Sequence, residues 1–213
     1  MIAKTGLFVQ QRGAALVVAL IMLVLMTLVG ITAMQVTTVQ QKMVTNNRDL
    51  NTAFQAAETA LKRGERYILS MMIGKATVEH LFTDPCTAGL CKPKPMASDP
   101  QWLEAIGTNV IWADTSTTTL KYGSETKPAG ASDKIPTILP LPSGSVAKQP
   151  RFMIEDITPS EKGKAQGGLG TVKNDAGVDQ GWFRVTAQGY GQRLGDDNEP
   201  LSRVMLQSVI RKD

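Results

Sequence analysis

Apolar residues gather at the start of this chain. From Ala14 to Met34 the sequence is almost wholly apolar, and no residue from Ala14 to Gln41 carries a formal charge. As a helix rising about 1.5 Å per residue, segment 14–34 is about 31 Å long, close to the ~30 Å hydrocarbon thickness of a bilayer. A helix is the one structure by which a lone segment satisfies its own backbone in lipid. Nothing else in the chain approaches this length of apolar sequence, so a single span is expected.

After Met34 the pattern becomes amphipathic. Val36, Val39, Met43, Leu50, Phe54, Ala57, Leu61, Ile68 and Met72 follow helical spacings, while polar residues fill much of the opposite side. No proline occurs before Pro85. The expectation is one continuous helix over 14–72, about 88 Å long. Segment 14–34 is its transmembrane half and 35–72 its amphipathic half, with Gly30 and Gly64 as soft points. Two helices bending near 35–38 are the alternative. The mixed-sign run Lys62 to Arg66 is expected to be a solvated face.

The rest, 73–213, is expected to be a head domain. Arg151 to Ile157, Trp182 to Tyr190 and Ser202 to Arg211 are rich in β-branched and aromatic residues with rough alternation, as in strands. Phe183, Val185 and Ala187 share one face; Val204, Leu206 and Ile210 share another, with Ser208 between. Segment 191–199 is a hairpin connection. A meander of three or four antiparallel strands on the amphipathic helix is an α+β solution, burying Phe54, Leu61 and Ile68 against the sheet. Segments 109–113 and 135–139 read as edge strands or loops, since Pro136, Pro140 and Pro142 argue against a central strand.

Charge fixes the orientation. Lys4 and Arg12 precede the span without an acidic companion, which holds the first dozen residues in the cytoplasm and sends the head outward. A cleaved secretory signal would have a shorter apolar region ending in a small-residue cleavage site. The net charge of +4 comes without a basic stripe, so no nucleic-acid partner is expected.

Candidate chemistry is sparse. His80 is the one histidine, with no recognisable nucleophile motif around it, and no catalytic residue is assigned. Cys86 and Cys91, in an exported region, are expected to form a disulfide worth about 2 kcal/mol at best. A two-cysteine metal site would need further ligands, and only His80 is near. The glycine-rich segment 161–170 lacks the ending of a phosphate loop and reads as a surface loop. Asp196, Asp197 and Glu199 read as a solvated turn, since the calcium-loop pattern is absent. Trp102, Trp112 and Trp182 are expected in the core or at its edge. No cofactor and no metal are expected.

Three stretches carry a resemblance. Residues Gln11 to Leu20 (QRGAALVVAL) resemble the processing site and first turns of a type IV prepilin. Residues Asn47 to Glu65 (NRDLNTAFQAAETALKRGE) are similar to the helix of PilX-type minor pilins of type IVa pili. RFMIED at 151–156, FRVTAQGY at 183–190 and VMLQSV at 204–209 look like that family's strands. The likeness covers 10–70 and these strands, but not 83–149.

The resemblance implies a type IV pilin-like α+β fold and a leader at 1–13. A prepilin peptidase would cut between Gly13 and Ala14 and methylate the new amine. It also implies an inner-membrane protein with its head in the periplasm, later incorporated into the fibre. Its partners would be other minor pilins, the major pilin and a tip adhesin. Pilins usually carry a glutamate five residues into the mature chain; here that position is Val18. The implied function is pilus assembly and initiation at or near the tip, supporting adhesion and twitching motility. A subunit of low abundance that enters the fibre poorly is the alternative for Val18. For the whole chain the alternatives are a type II secretion pseudopilin and a membrane-anchored periplasmic enzyme or sensor. Tip pseudopilins lacking the glutamate usually have larger heads.

Overall fold

The computed structural model describes residues 14–72, 81–93, 102, 111–113, 115–125, 137–158, 172–173 and 179–212. The leader with Gly13, His80 and the 161–170 loop lie outside the described residues. The chain divides into two compact units, Met1–Asn47 and Arg48–Asp213. Helix α1, Ala14–Met72, contributes to both and is unbroken, as the absence of proline and the sustained helical period require.

In the first unit the described residues form helix alone. Its apolar side chains are exposed, from 45% at Val24 to 75% at Met26. Its hydroxyls turn back on the helix: Thr27 donates to the Val24 carbonyl at 2.8 Å and Thr37 to that of Ala33 at 3.0 Å. Over 14–34, where Thr32 likewise bonds the Leu28 and Val29 carbonyls, the helix therefore presents almost no unsatisfied polar group.

In the second unit, residues 48–72 of α1 lie on a sheet of β1 (Leu90–Cys91), β2 (Leu120–Lys121), β3 (Arg151–Asp156), β4 (Val172–Lys173), β5 (Asp179–Tyr190) and β6 (Arg203–Lys212). β5 is central. It pairs antiparallel with β6 along one side, from Gly181↔Lys212 to Tyr190↔Arg203, with β3 along the other, and with the short β4 through Asp179 and Gln180. β3 carries β2 antiparallel and β1 parallel on its far edge. The three long strands match the alternation in the sequence; the parallel β1, two residues long, is too short for any periodicity to mark.

Helix meets sheet through small residues. Ala53, Ala56, Ala57 and Ala60 are buried, followed by Tyr67, Ile68 and Met71. Ala60, Tyr67, Ile68 and Met71 cluster with Phe152, Ile154, Phe183, Val185 and Ala187, with Tyr67 edge-on to Phe152 at 5.9 Å, while Ala53 and Ala57 lie against Gly189. This corrects the expected interface. Ile68 is buried and Leu61 packs at its margin, but Phe54 stands 44% exposed. Gly64 is a contact rather than a soft point, since a Cβ there would approach Val185 Cγ1 to 2.5 Å. The run 62–66 is not wholly solvated either. Arg63 is buried, and its Nε pairs with Glu125 at 3.0 Å with both side chains under 10% exposed. Desolvation makes such a pair costly unless further bonds support it; Glu125 also accepts the Gly123 N–H at 3.2 Å.

All six residues of β3 are buried because the sheet's other face is covered as well. Described residues of 86–91 and 111–121, from the stretch left without a match in the sequence, do this. Cys86, Cys91, Trp112 and Met153 form a second cluster, with Trp102 at its edge. Trp182, by contrast, is 38% exposed under the Arg211 guanidinium. Arg151 ties the segment down: its guanidinium donates to Thr119 Oγ1 at 2.6 Å and to the carbonyls of Ser116 and Thr119 at 2.6 and 2.8 Å.

Candidate functional site

Val18 lies on the exposed helix of the first unit, 57% accessible, among Leu16, Val17, Leu20 and Ile21. Ala14 opens that helix. Between Ala14 and Lys42 nothing on the helix carries charge, and over 14–34 its surface is almost wholly apolar, which suits lipid or another apolar helix.

The first carboxylate along the helix is Asp49, and it is committed elsewhere. It is 4% exposed. Its Oδ1 accepts the backbone N–H of Gln192 at 2.7 Å and of Arg193 at 2.9 Å, at the start of the β5–β6 connection. Gly191 lies flat against the carboxylate; a Cβ there would come within 2.5 Å of Oδ2. Burial opposes ionisation of Asp49. The Ser202 side chain, the two backbone donors and the Arg193 charge outweigh it and hold the carboxyl below the usual aspartate range. The connection is braced further by Gly191 N–H to the Ser202 carbonyl at 2.9 Å and Leu201 N–H to the Arg193 carbonyl at 3.0 Å.

Asp49 had a signal in the sequence, as the first acidic residue after the uncharged run. Arg63 and Arg151 had none, because a cation buried by long-range partners looks locally like any surface cation. Cys86 and Cys91 form the expected disulfide and belong to the second core cluster. They share the second unit with Asp49, whereas Ala14 and Val18 belong to the first. In the β5–β6 connection, Asp197 accepts the Glu199 N–H, and Glu199 pairs with Lys148 at 2.7 Å and Arg203 at 2.9 Å. Those carboxylates are thus occupied within the fold. Among the described residues no group of three or more His, Cys, Asp or Glu side chains is placed to hold a metal ion.

The head has further outward features among its described residues. On α1, Leu50, Phe54 and Leu69 are each 44–48% exposed. Beside the disulfide turn lies an open cleft of about 410 Å³.

Comparison with known families accounts for most of the chain. Residues 12–62 match the family model described as PilX N-terminal. Residues 87–212 match that described as Type IV pilus assembly protein PilX C-term. No curated protein and no solved structure matches the chain.

Proposed function

The chain belongs to the PilX family of type IV pilus assembly proteins, structural minor pilins rather than enzymes, and from that premise we propose that it primes the fibre from a position at or near the tip. The single apolar helix and the family fit anchoring in the inner membrane and incorporation into the pilus with other pilins. Lys4 and Arg12 support a periplasmic head. Arg12-Gly13 ahead of Ala14 supports cleavage at that bond by a prepilin peptidase, glycine allowing an extended backbone into a narrow site. Methylation of the Ala14 amine would follow.

The observation that carries the tip reading is Val18. A carboxylate at that depth is costly in lipid and is offset in a fibre by the terminal amine of a neighbouring subunit. Val18 offers no such counter-charge. Asp49 cannot replace it, being buried and hydrogen-bonded to Gln192 and Arg193. A subunit at the tip has no neighbour above it to neutralise. Adhesion and twitching motility would then depend on this chain through fibre formation. Loss of surface pili in a deletion strain with secretion intact separates this role from that of a secretion pseudopilin.

The direct test is Val18→Glu. An ion pair of about 1.4 kcal/mol changes an equilibrium about tenfold. Gold-labelled antibody against the head is expected to mark fibre ends in the wild type, and the variant is expected to spread along the shaft by about that factor. The same distribution and the same number of pili in both strains would leave the tip position without support.

A further inference from the structure

We propose that the outer edge of β6 is a docking site for an extended strand donated by another pilin subunit. Two hydrogen bonds set the direction of the main chain. The Trp182 carbonyl accepts the Ile157 N–H at 2.8 Å on the β3 side of β5. Gly191, just past β5, donates to the Ser202 carbonyl at 2.9 Å on the β6 side. Antiparallel ladders alternate, so even-numbered residues of β5 bond β3 and odd-numbered ones bond β6. Through the register Val185↔Ser208 and Ala187↔Leu206, even-numbered residues of β6 face β5. The N–H and C=O groups of Met205, Gln207 and Val209 therefore point outward. Among the described residues β6 pairs with β5 alone. Gln207 and Val209 are also exposed.

This edge lacks the usual protection against pairing, which is a short strand, a proline, a bulge or a central charge. β1, β2 and β4 are two residues each, too short to template a partner. β6 has ten residues, and its register with β5 runs through ten pairs without a bulge. Segment 204–210 (VMLQSVI) contains no proline, glycine or charge.

The flank of α1 beside this edge defines the side chains of the incoming strand. Ser208 of β6 donates to Glu65 Oε1 at 2.6 Å, so the Glu65 side of the helix is the β6 side. Leu61 and Ile210 both pack at the core margin there. At 3.6 residues per turn, Leu50, Phe54, Leu61 and Glu65 fall within an arc of about 60°. Leu50 and Phe54, 48% and 44% exposed, thus extend the apolar stripe of α1 past the last strand of the sheet. One more strand beside β6 would continue the helix–sheet core under them. Its backbone would meet Met205, Gln207 and Val209, and apolar side chains at alternate positions would face α1. The donor is another pilin because the family builds a pilus with other pilins. The proposal rests on that membership and holds at the tip or within the shaft.

The test has two arms. In the full-length chain in micelles, the amides of Met205, Gln207 and Val209 are expected to exchange roughly tenfold or more faster than those of Leu206, Ser208 and Ile210. Equal protection of both sets would overturn the proposal, because the edge would already be covered. In piliated cells, benzoylphenylalanine replaces Gln207, and mass spectrometry locates its photo-adduct. The expected adduct lies in a strand segment of another pilin. Val209→Pro removes an outward donor and keeps the bonds to β5; Val209→Glu keeps the donor and adds a charge to the edge. Either is expected to lower the adduct yield about tenfold. If Val209→Pro lowers the urea midpoint, Val209→Glu, at an exposed site, decides. An adduct on a second copy of this chain, no adduct with another pilin, or an undiminished yield in Val209→Glu would each overturn the assignment. Adducts lost with gold label still at fibre ends would count against the edge alone.

Discussion

Gly189→Ala is expected to destabilise the head by about 3 kcal/mol, the upper part of the range for overpacked cores. Gly189 sits in β5 opposite Val204 and under the alanine face of α1. The added methyl would land on the Ala57 backbone nitrogen and the Ala53 carbonyl oxygen, atoms that no rotamer change can move. Helix and sheet would have to separate along their length and loosen Phe152, Val185 and Ile68 together. Urea unfolding of the full-length chain in micelles, followed by tryptophan fluorescence, measures the shift. Gly30→Ala is the control: a Cβ there meets nothing within 4 Å, so the head's midpoint should not move. Equal midpoints for wild type and Gly189→Ala would mean that the helix does not lie as closely on β5 as described.

Asp49→Ala is expected to cost about 2–3 kcal/mol near neutral pH, since it removes a charged acceptor from two backbone donors. The Gln192 and Arg193 N–H groups would lose their partner, and the β5–β6 connection would lose its tie to α1. The effect depends on pH with a defined sign. The folded carboxyl has a lowered pKa, so its contribution is complete above the unfolded value of about 4 and is lost as pH falls through the folded value. Unfolding midpoints of wild type and variant should therefore differ most at neutral pH and converge in acid. A difference that stays constant with pH would show that Asp49 acts by packing, not charge.

The parts of the fold that depend on long apolar patterns were legible. The long apolar helix follows from uninterrupted apolar length, and β3, β5 and β6 follow from alternation in stretches long enough to show it. The buried face of α1 was not legible from its largest apolar side chains. A close helix–sheet approach selects alanine and glycine, and hydrophobic periodicity gives little weight to those residues. Phe54 therefore looked like core and is half exposed, while Ala53, Ala60 and Gly64 make the contact. The same helical period fits either face, and only backbone separation decides between them.

Of the candidate site, Val18 was visible as a position where the pilin pattern departs, and the cysteines as a closely spaced pair. The cleft was not visible. Its lining comes from three separate pieces, the disulfide turn, the β2 hairpin and the start of β3, brought together by β1 and β2 flanking one edge of β3. Arg151 is read locally as the first residue of a strand, and only the fold reveals that it anchors the 116–119 loop.

The central claim is a retained apolar helix whose free end is made at Ala14. Mass spectrometry of the protein recovered from membranes and sheared pili tests this most directly. The expected result is a chain beginning at Ala14 with a methylated amine and its apolar segment intact. A chain that still begins at Met1, or a soluble head lacking residues 14–34, would contradict it.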